Sequence, residues 1–147
     1  MALKLLLSPY HQEKLRMADS YEKPRPLTPD IYNAQIVACD TMPFHWRKSP
    51  SNPDGMTVRF VVSLMADDGP ATVTDAVDAS NLQRLASVYR STGSDEPPFD
   101  YLMSDIHNLR GQSCTISTKN ITPRMGKHAG VEKAVISRWL EPQEAVR

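Results

Sequence analysis

The chain has 147 residues, of which 40% are hydrophobic and 23% charged, and its 17 Lys and Arg balance its 17 Asp and Glu. This length and composition predict one globular domain with its own core. A net charge of zero argues against a protein that binds polyanions over its whole surface. No apolar run approaches the ~18 residues of a membrane span. The first residues lack the pattern of a signal peptide, so we expect a cytoplasmic protein without membrane partners.

The charges are segregated along the chain. Residues 67–105 hold eight acids and two cations, whereas residues 110–139 hold six cations and one acid. Such segregation creates local fields that steer a ligand even at zero net charge. Charges scattered over a solvated surface are the alternative interpretation.

Residues 1–30 are predicted to form an arm, because three prolines within residues 22–29 favour an extended chain. The domain is expected over residues 31–142, followed by a short polar tail at 143–147. Its first strand starts near Ile31, and period-two alternation places four side chains on one face. These are Tyr32, Ala34, Ile36 and Ala38.

The second strand is the clearest in the chain. In TVRFVVSLM, Val58, Phe60, Val62 and Leu64 face one way, and Thr57, Arg59 and Ser63 face the other. Asp68-Gly69 is a tight-turn signal that leads into a third strand, ATVTDAV. These two strands are therefore expected to form a hairpin.

A helix follows the hairpin. Ser80 and Gln83 are predicted to form a capping box, and Gly93 occupies the position of a C-terminal glycine stop. A second short helix is expected over Phe99–Leu109, with Tyr101 among its apolar residues.

Two further strands, SCTISTKN and VEKAVISRWL, complete the pattern. Alternation in the last one slips between Val135 and Ile136, which indicates a bulge or a strand buried on both sides. The order of elements predicts a mainly β protein, a five-stranded OB-type Greek-key barrel with a helix between strands 3 and 4. A five-stranded α+β sheet packed on one helix would give a similar order and stays open as an alternative.

Two loops distinguish this chain, Phe44–Gly55 (loop one) and Lys119–Gly130 (loop two). Each joins two predicted strands and carries clustered cations, and Asp54 is their only acid. An OB-type barrel presents its strand 1–2 and strand 4–5 loops on one side of its binding face. The sequence therefore predicts an oligonucleotide groove between them.

Single-strand binding needs cations for the phosphates and flat side chains for the bases. We expect Trp46 to stack on a base, while neighbouring cations contact phosphates. The predicted nucleic-acid-binding residues are Trp46, Arg47, Lys48, Arg59, Lys119, Arg124, Lys127 and His128.

Each assignment has a structural alternative. Phe44 and Trp46 can instead fold back and plug the end of the barrel, and Arg59 can form a cross-strand ion pair with Asp75. Loop two can be a solvated hairpin tip. Trp139 is expected in the core, as is Tyr32.

No residue pattern indicates catalysis, a metal site or a cofactor. The four His are scattered, and none is spaced with another His or a Cys as metal ligands are. Acids between Asp67 and Asp78 could gather a divalent ion for a nuclease, but acids are common in turns and strand ends anyway. Cys39 and Cys114 fall in strand-like runs and are expected to be buried free thiols, with a disulfide as the alternative.

The C-terminal run LRGQSCTISTKNITPRMGKHAGVEKAVISRWLEP resembles the end of small phage-type single-stranded DNA-binding proteins, the recombination and replication accessory group. The approach PRPLTPDIYNAQI and the predicted helix resemble the same family, which also has an OB-fold. Loop one departs from the family pattern because it is Pro- and Ser-rich and contains Asp54. A second departure is that the chain ends without an acidic tip. The resemblance covers Leu27–Pro142, and the matching positions are Leu109, Gly111, Thr122–Gly130, Pro142, Asn81–Arg90 and Gly93.

The sequence and this resemblance lead to one expected function and one alternative. We expect non-catalytic, sequence-tolerant binding of single-stranded DNA, or RNA, in bacteriophage replication or recombination. A replication or recombination protein and a second copy of the chain are the expected protein partners. The acidic Asp67–Asp105 region would face away or meet a basic partner. The alternative is an OB-fold adaptor or inhibitor that docks on a larger protein complex.

Overall fold

The structure, a computed structural model, describes residues 25–126 and 129–142. Most of the predicted arm (residues 1–24) and the predicted tail (143–147) lie outside the described residues. In chain order the elements are β1 (Ile31–Pro43), a 3₁₀ helix (His45–Arg47), β2 (Met56–Ala66), β3 (Gly69–Asp78), α1 (Leu82–Ser91), two 3₁₀ helices (Phe99–Tyr101 and Ile106–Leu109), β4 (Ser113–Ile121) and β5 (Lys133–Leu140).

The five strands form one sheet in the order β3-β2-β1-β4-β5, and every neighbouring pair is antiparallel. The prediction of a mainly β protein with five strands is therefore confirmed. β1 lies at the centre, where it pairs with β2 on one side and with β4 on the other.

The sheet is not closed into a barrel. Its edge strands, β3 and β5, are in contact, but no backbone ladder joins them in the described residues. Side chains fill this seam instead, because Asp75 of β3 accepts hydrogen bonds from Trp139 Nε1 (2.8 Å) and Arg84 Nε (2.9 Å). The predicted closure of the barrel is thus absent, and a polar side-chain network stands in its place.

The core lies on one face of the sheet, under α1. Phe60 is fully buried there and meets Trp139 edge-on, with 5.3 Å between ring centroids. Apolar side chains on one side of α1, such as Leu85 and Val88, are buried in the same cluster. The predicted core position of Trp139 is confirmed, and Tyr32 packs against the core while donating its hydroxyl to Thr28 O (2.6 Å).

A bulge in β1 changes the predicted face of that strand. Ile36 lies opposite Val62 but Ala38 lies opposite Val61, so Val37 is an extra residue. Beyond the bulge Cys39, rather than Ala38, belongs to the core cluster. Strict alternation through Ala38 was therefore wrong, because a bulge shifts every later side chain to the other face.

Of the two predicted ends of α1, only the N-terminal end differs from the structure. Asn81, not Ser80, is the N-cap, and its Oδ1 accepts from Arg84 N (3.2 Å), while Ser80 bonds to Asp78. Gly93 has φ +78°, the left-handed conformation expected of a glycine stop.

The predicted helix over Phe99–Leu109 is two separate 3₁₀ turns. Leu102, Ile106 and Leu109 are buried, as an apolar side requires, but Tyr101 is exposed. The predicted apolar side is therefore correct for Leu102, Ile106 and Leu109 and wrong for Tyr101.

The described end of the predicted arm is packed against the sheet. Leu27 is buried, and its backbone N–H and C=O both bond to the side chain of Asn120 on β4 (3.0 and 2.8 Å). Arg25 binds Asp68 in the turn between β2 and β3 (2.6 Å). Residues 25–30 therefore tie β4 to that turn.

Both cysteines are buried free thiols, which confirms the prediction. Burial raises the pKa of each thiol to about 12. We expect neither Cys39 nor Cys114 to react with iodoacetamide at pH 8, because the reactive thiolate is almost absent. Both should be alkylated once denaturant unfolds the chain. Rapid labelling of the native protein, read by mass spectrometry, would contradict this burial.

Candidate nucleic-acid interface

Loop one is held rigidly at its base. Phe44 N donates to Gly55 O (2.8 Å), which closes the loop where β1 and β2 begin to pair. Asn52 is buried, and its side-chain amide donates to Met56 O (2.8 Å) and Asp78 Oδ1 (2.9 Å) while its oxygen accepts from Met56 N (3.0 Å). A loop of this length is therefore fixed by internal hydrogen bonds, which lowers the entropy cost of binding through it.

Gly55 is required by this closure. Its φ is +63°, and a Cβ there would lie 2.0 Å from Phe44 O. We expect Gly55→Ala to lower the free energy of unfolding by about 1–3 kcal/mol, because strain and overlap add. Gly111→Ala is the matched control, since Gly111 also has a positive φ (+85°) but no described residue within 4 Å of an added Cβ. Equal losses for the two variants in urea unfolding would contradict the contact with Phe44.

An aromatic stack projects from this rigid base. The rings of Phe44 and Trp46 are parallel within 11°, with centroids 4.7 Å apart. The guanidinium carbon of Arg59 lies 5.4 Å from the centroid of the Phe44 ring. Trp46 is nevertheless 76% exposed. The alternative in which Trp46 plugs the end of the barrel is therefore wrong.

The cations of loop one differ in their surroundings. Lys48 is exposed, whereas Arg47 is half-buried and near enough to Asp78 for their charges to interact. The hydrogen bond from the Ser80 hydroxyl chiefly lowers the pKa of Asp78, and the charge of Arg47 adds to this effect. An ionised Asp78 partly offsets Arg47, so Lys48 presents the less compensated charge to a ligand.

Arg59 lies on the outer face of β2, as predicted. Its register partners are Asp40 on β1 and Ala76 on β3. Asp75 lies opposite Phe60, on the core side, and forms its ion pair with Arg84. The alternative pairing of Arg59 with Asp75 is therefore wrong, because the two side chains face opposite sides of the sheet.

Loop two joins β4 to β5 and is less enclosed. Lys119 and Arg124 are exposed, and Met125 is 85% exposed. Gly130 N donates to Pro123 O (2.8 Å), and this hydrogen bond joins the two sides of the loop. Two predicted binding residues in this loop, Lys127 and His128, lie outside the described residues.

The two loops do not lie at the same end of the central strand. Loop one follows the last residue of β1, whereas β4 runs past the first residue of β1 before entering loop two. The groove predicted between the two loops stays a prediction, and the loops would approach it from opposite ends of β1. Arg59 and Lys119 still share the outer face of the sheet, because both are in register with positions that point away from the core.

Two cations on this face were not among the predicted binding residues. Lys133 lies opposite Ile121, and Arg138 lies opposite Ser117, both directed away from the core. Together with Lys119 they form a patch that we call the cationic ribbon. The slip in the alternation of the last strand was the available signal, although it lies one residue later than predicted, at Ser137.

The acidic region does not simply face away. Asp68 contacts Arg25 beside the arm segment that bonds to β4, and Asp78 bonds to Asn52 inside loop one. Asp75 lies in the seam between β3 and β5. These three acids thus occupy three different sites, and one of them, Asp78, contacts loop one.

Within residues 25–126 and 129–142, no group of three His, Cys, Asp or Glu is placed to hold a metal ion. The same residues include no helix with the length and hydropathy for crossing a membrane. Comparison with known proteins finds no family whose sequence model matches the chain and no curated relative of similar sequence. The resemblance to phage-type single-stranded DNA-binding proteins therefore stays a prediction.

Proposed function

We propose that the protein is a non-catalytic, sequence-tolerant single-stranded DNA-binding protein that supports replication or recombination. The observation that carries the proposal is the exposed stack of Trp46 on Phe44 with Arg59 beside it. An exposed indole held parallel to a second ring has one large face directed to solvent, where a base of any identity can stack.

The fold proposal is an OB-type barrel that is open at one seam. In a five-stranded Greek-key barrel of this type the first strand is central, between strands 2 and 4, and the barrel is partly open. The strand order β3-β2-β1-β4-β5 has this arrangement. The contact between β3 and β5 through Asp75 lies where such a barrel would close.

A second candidate function is an adaptor that docks on a larger protein complex. Exposed apolar residues at the base and tip of loop two favour it, since aliphatic side chains contribute little to the binding of phosphates. They are Ile121, Met125 and Val131.

Titration of a fluorescent dT oligonucleotide of about 30 nucleotides, longer than the usual site of one OB-fold, tests the proposal. We expect binding that weakens with salt and exceeds binding to duplex DNA of the same length, because flexible bases can stack on Trp46. Absence of binding at low salt would overturn the proposal and favour the adaptor. Equal affinity for duplex would exclude recognition through stacking.

A further inference from the structure

The cationic ribbon presents one cation in each outward row of the β4–β5 pair. The rows are Ser117 with Arg138, Lys119 with Val135, and Ile121 with Lys133. Alternate residues of a strand lie roughly 7 Å apart, which is close to the spacing of phosphates along an extended single strand. No acid occurs among these six residues.

The bulge in β5 is what aligns these charges. In a regular strand, Lys133 and Arg138 would point to opposite faces, because they are five positions apart and side chains alternate between faces. Ser117 pairs with Arg138 but Thr118 pairs with Ile136, so Ser137 is an extra residue. The bulge therefore turns Arg138 to the same outer face as Lys133.

Arg84 holds the bulge in place. Its guanidinium donates to Ile136 O (3.1 Å) and Ser137 O (3.4 Å), the two carbonyls at the bulge. Asp75 in turn fixes Arg84 through its ion pair at 2.9 Å. Asp75 on β3 and Arg84 on α1 thus position the charge of Arg138 on the opposite face of the sheet.

The chemistry of the ribbon differs from that of loop one. None of its outward residues is aromatic, so it offers no surface for base stacking. Regularly spaced cations without stacking rings match a phosphate backbone. We propose that the cationic ribbon is a second, stacking-free binding surface for the phosphates of the same single strand that stacks on Trp46. This inference rests on the proposed single-strand binding.

The test compares two triple variants. Lys119→Gln, Lys133→Gln and Arg138→Gln remove the charges, whereas Lys119→Arg, Lys133→Arg and Arg138→Lys keep them. We expect the Gln variant to lower the slope of log affinity against log salt by roughly 2, since each phosphate contact on a single strand contributes about 0.7. The charge-conserving variant should keep the wild-type slope. Circular dichroism of both variants confirms that they are folded.

Oligonucleotide length separates the two surfaces. A strand of about 5 nucleotides is too short to engage both, whereas one of about 20 nucleotides can bridge them and gain affinity by linkage. Wild type should therefore prefer the longer strand strongly, and the Gln variant should lose most of that preference. Trp46→Ala should weaken the binding of both lengths.

The outcomes distinguish the two proposals. Wild-type binding that depends on Trp46, with an unchanged slope in the Gln variant, would overturn the ribbon and leave the function standing. Absence of wild-type binding to either strand would overturn both. In that case, retention of poly-glutamate by wild type but not by the Gln variant would assign the ribbon to an acidic protein partner.

Discussion

Trp46→Ala is expected to weaken binding of single-stranded DNA by about 1–3 kcal/mol, or roughly 5- to 150-fold. The substitution removes the exposed ring that lies parallel to Phe44. Because Trp46 is 76% exposed, its loss uncovers little core and should leave the unfolding temperature nearly unchanged. Fluorescence anisotropy with a dT oligonucleotide measures the affinity, and thermal unfolding measures the stability.

Tyr101→Ala is the matched control for this prediction. Tyr101 is a second large aromatic residue on the surface, 58% exposed, and it belongs to a different loop. Its removal should not change the affinity. A loss of affinity for Tyr101→Ala equal to that for Trp46→Ala would mean that the strand does not bind through loop one.

Asp75→Ala is expected to lower the free energy of unfolding by about 3 kcal/mol. One carboxylate oxygen accepts from both Arg84 Nε and Trp139 Nε1. The Asp75 and Arg84 side chains are only 14% and 29% exposed, so water replaces the lost partner poorly. Urea unfolding followed by circular dichroism gives the change.

Asp68→Ala provides the comparison, because Asp68 also forms an ion pair with an arginine, at 2.6 Å, but on the surface. Exposed pairs contribute little to stability. We therefore expect Asp68→Ala to unfold nearly as wild type does. A large loss for Asp68→Ala, or none for Asp75→Ala, would show that the seam between β3 and β5 is not held by Asp75.

The strands were predictable wherever alternation was regular. In β2, Val58, Phe60, Val62 and Leu64 all point into the core, as period two required. The shift in β1 at Val37 was not predictable, because a bulge is set by the partner strand and not by the composition of the strand itself. In β5 the irregular alternation did indicate a bulge, but it did not show which residue is extra. The face of Arg138 could therefore not be assigned from the sequence.

The candidate site was predictable in part. Loop one could be recognised because adjacent aromatic and basic residues in a turn-rich segment are unusual in a solvated loop. The buried Asn52 and its bond to Asp78 could not, because that contact joins residues far apart in the chain. The predicted closure of the sheet was also wrong, because the sequence does not show whether backbone or side chains fill the seam at Asp75.

Trp46 fluorescence during titration with dT tests the central claim most directly. A base that stacks on an indole quenches its emission, and the difference between wild type and Trp46→Phe isolates the signal of Trp46 from that of the buried Trp139. We predict strong quenching of wild type that is largely lost in Trp46→Phe. Saturating DNA binding without any quenching assigned to Trp46 would contradict the claim that loop one binds the bases.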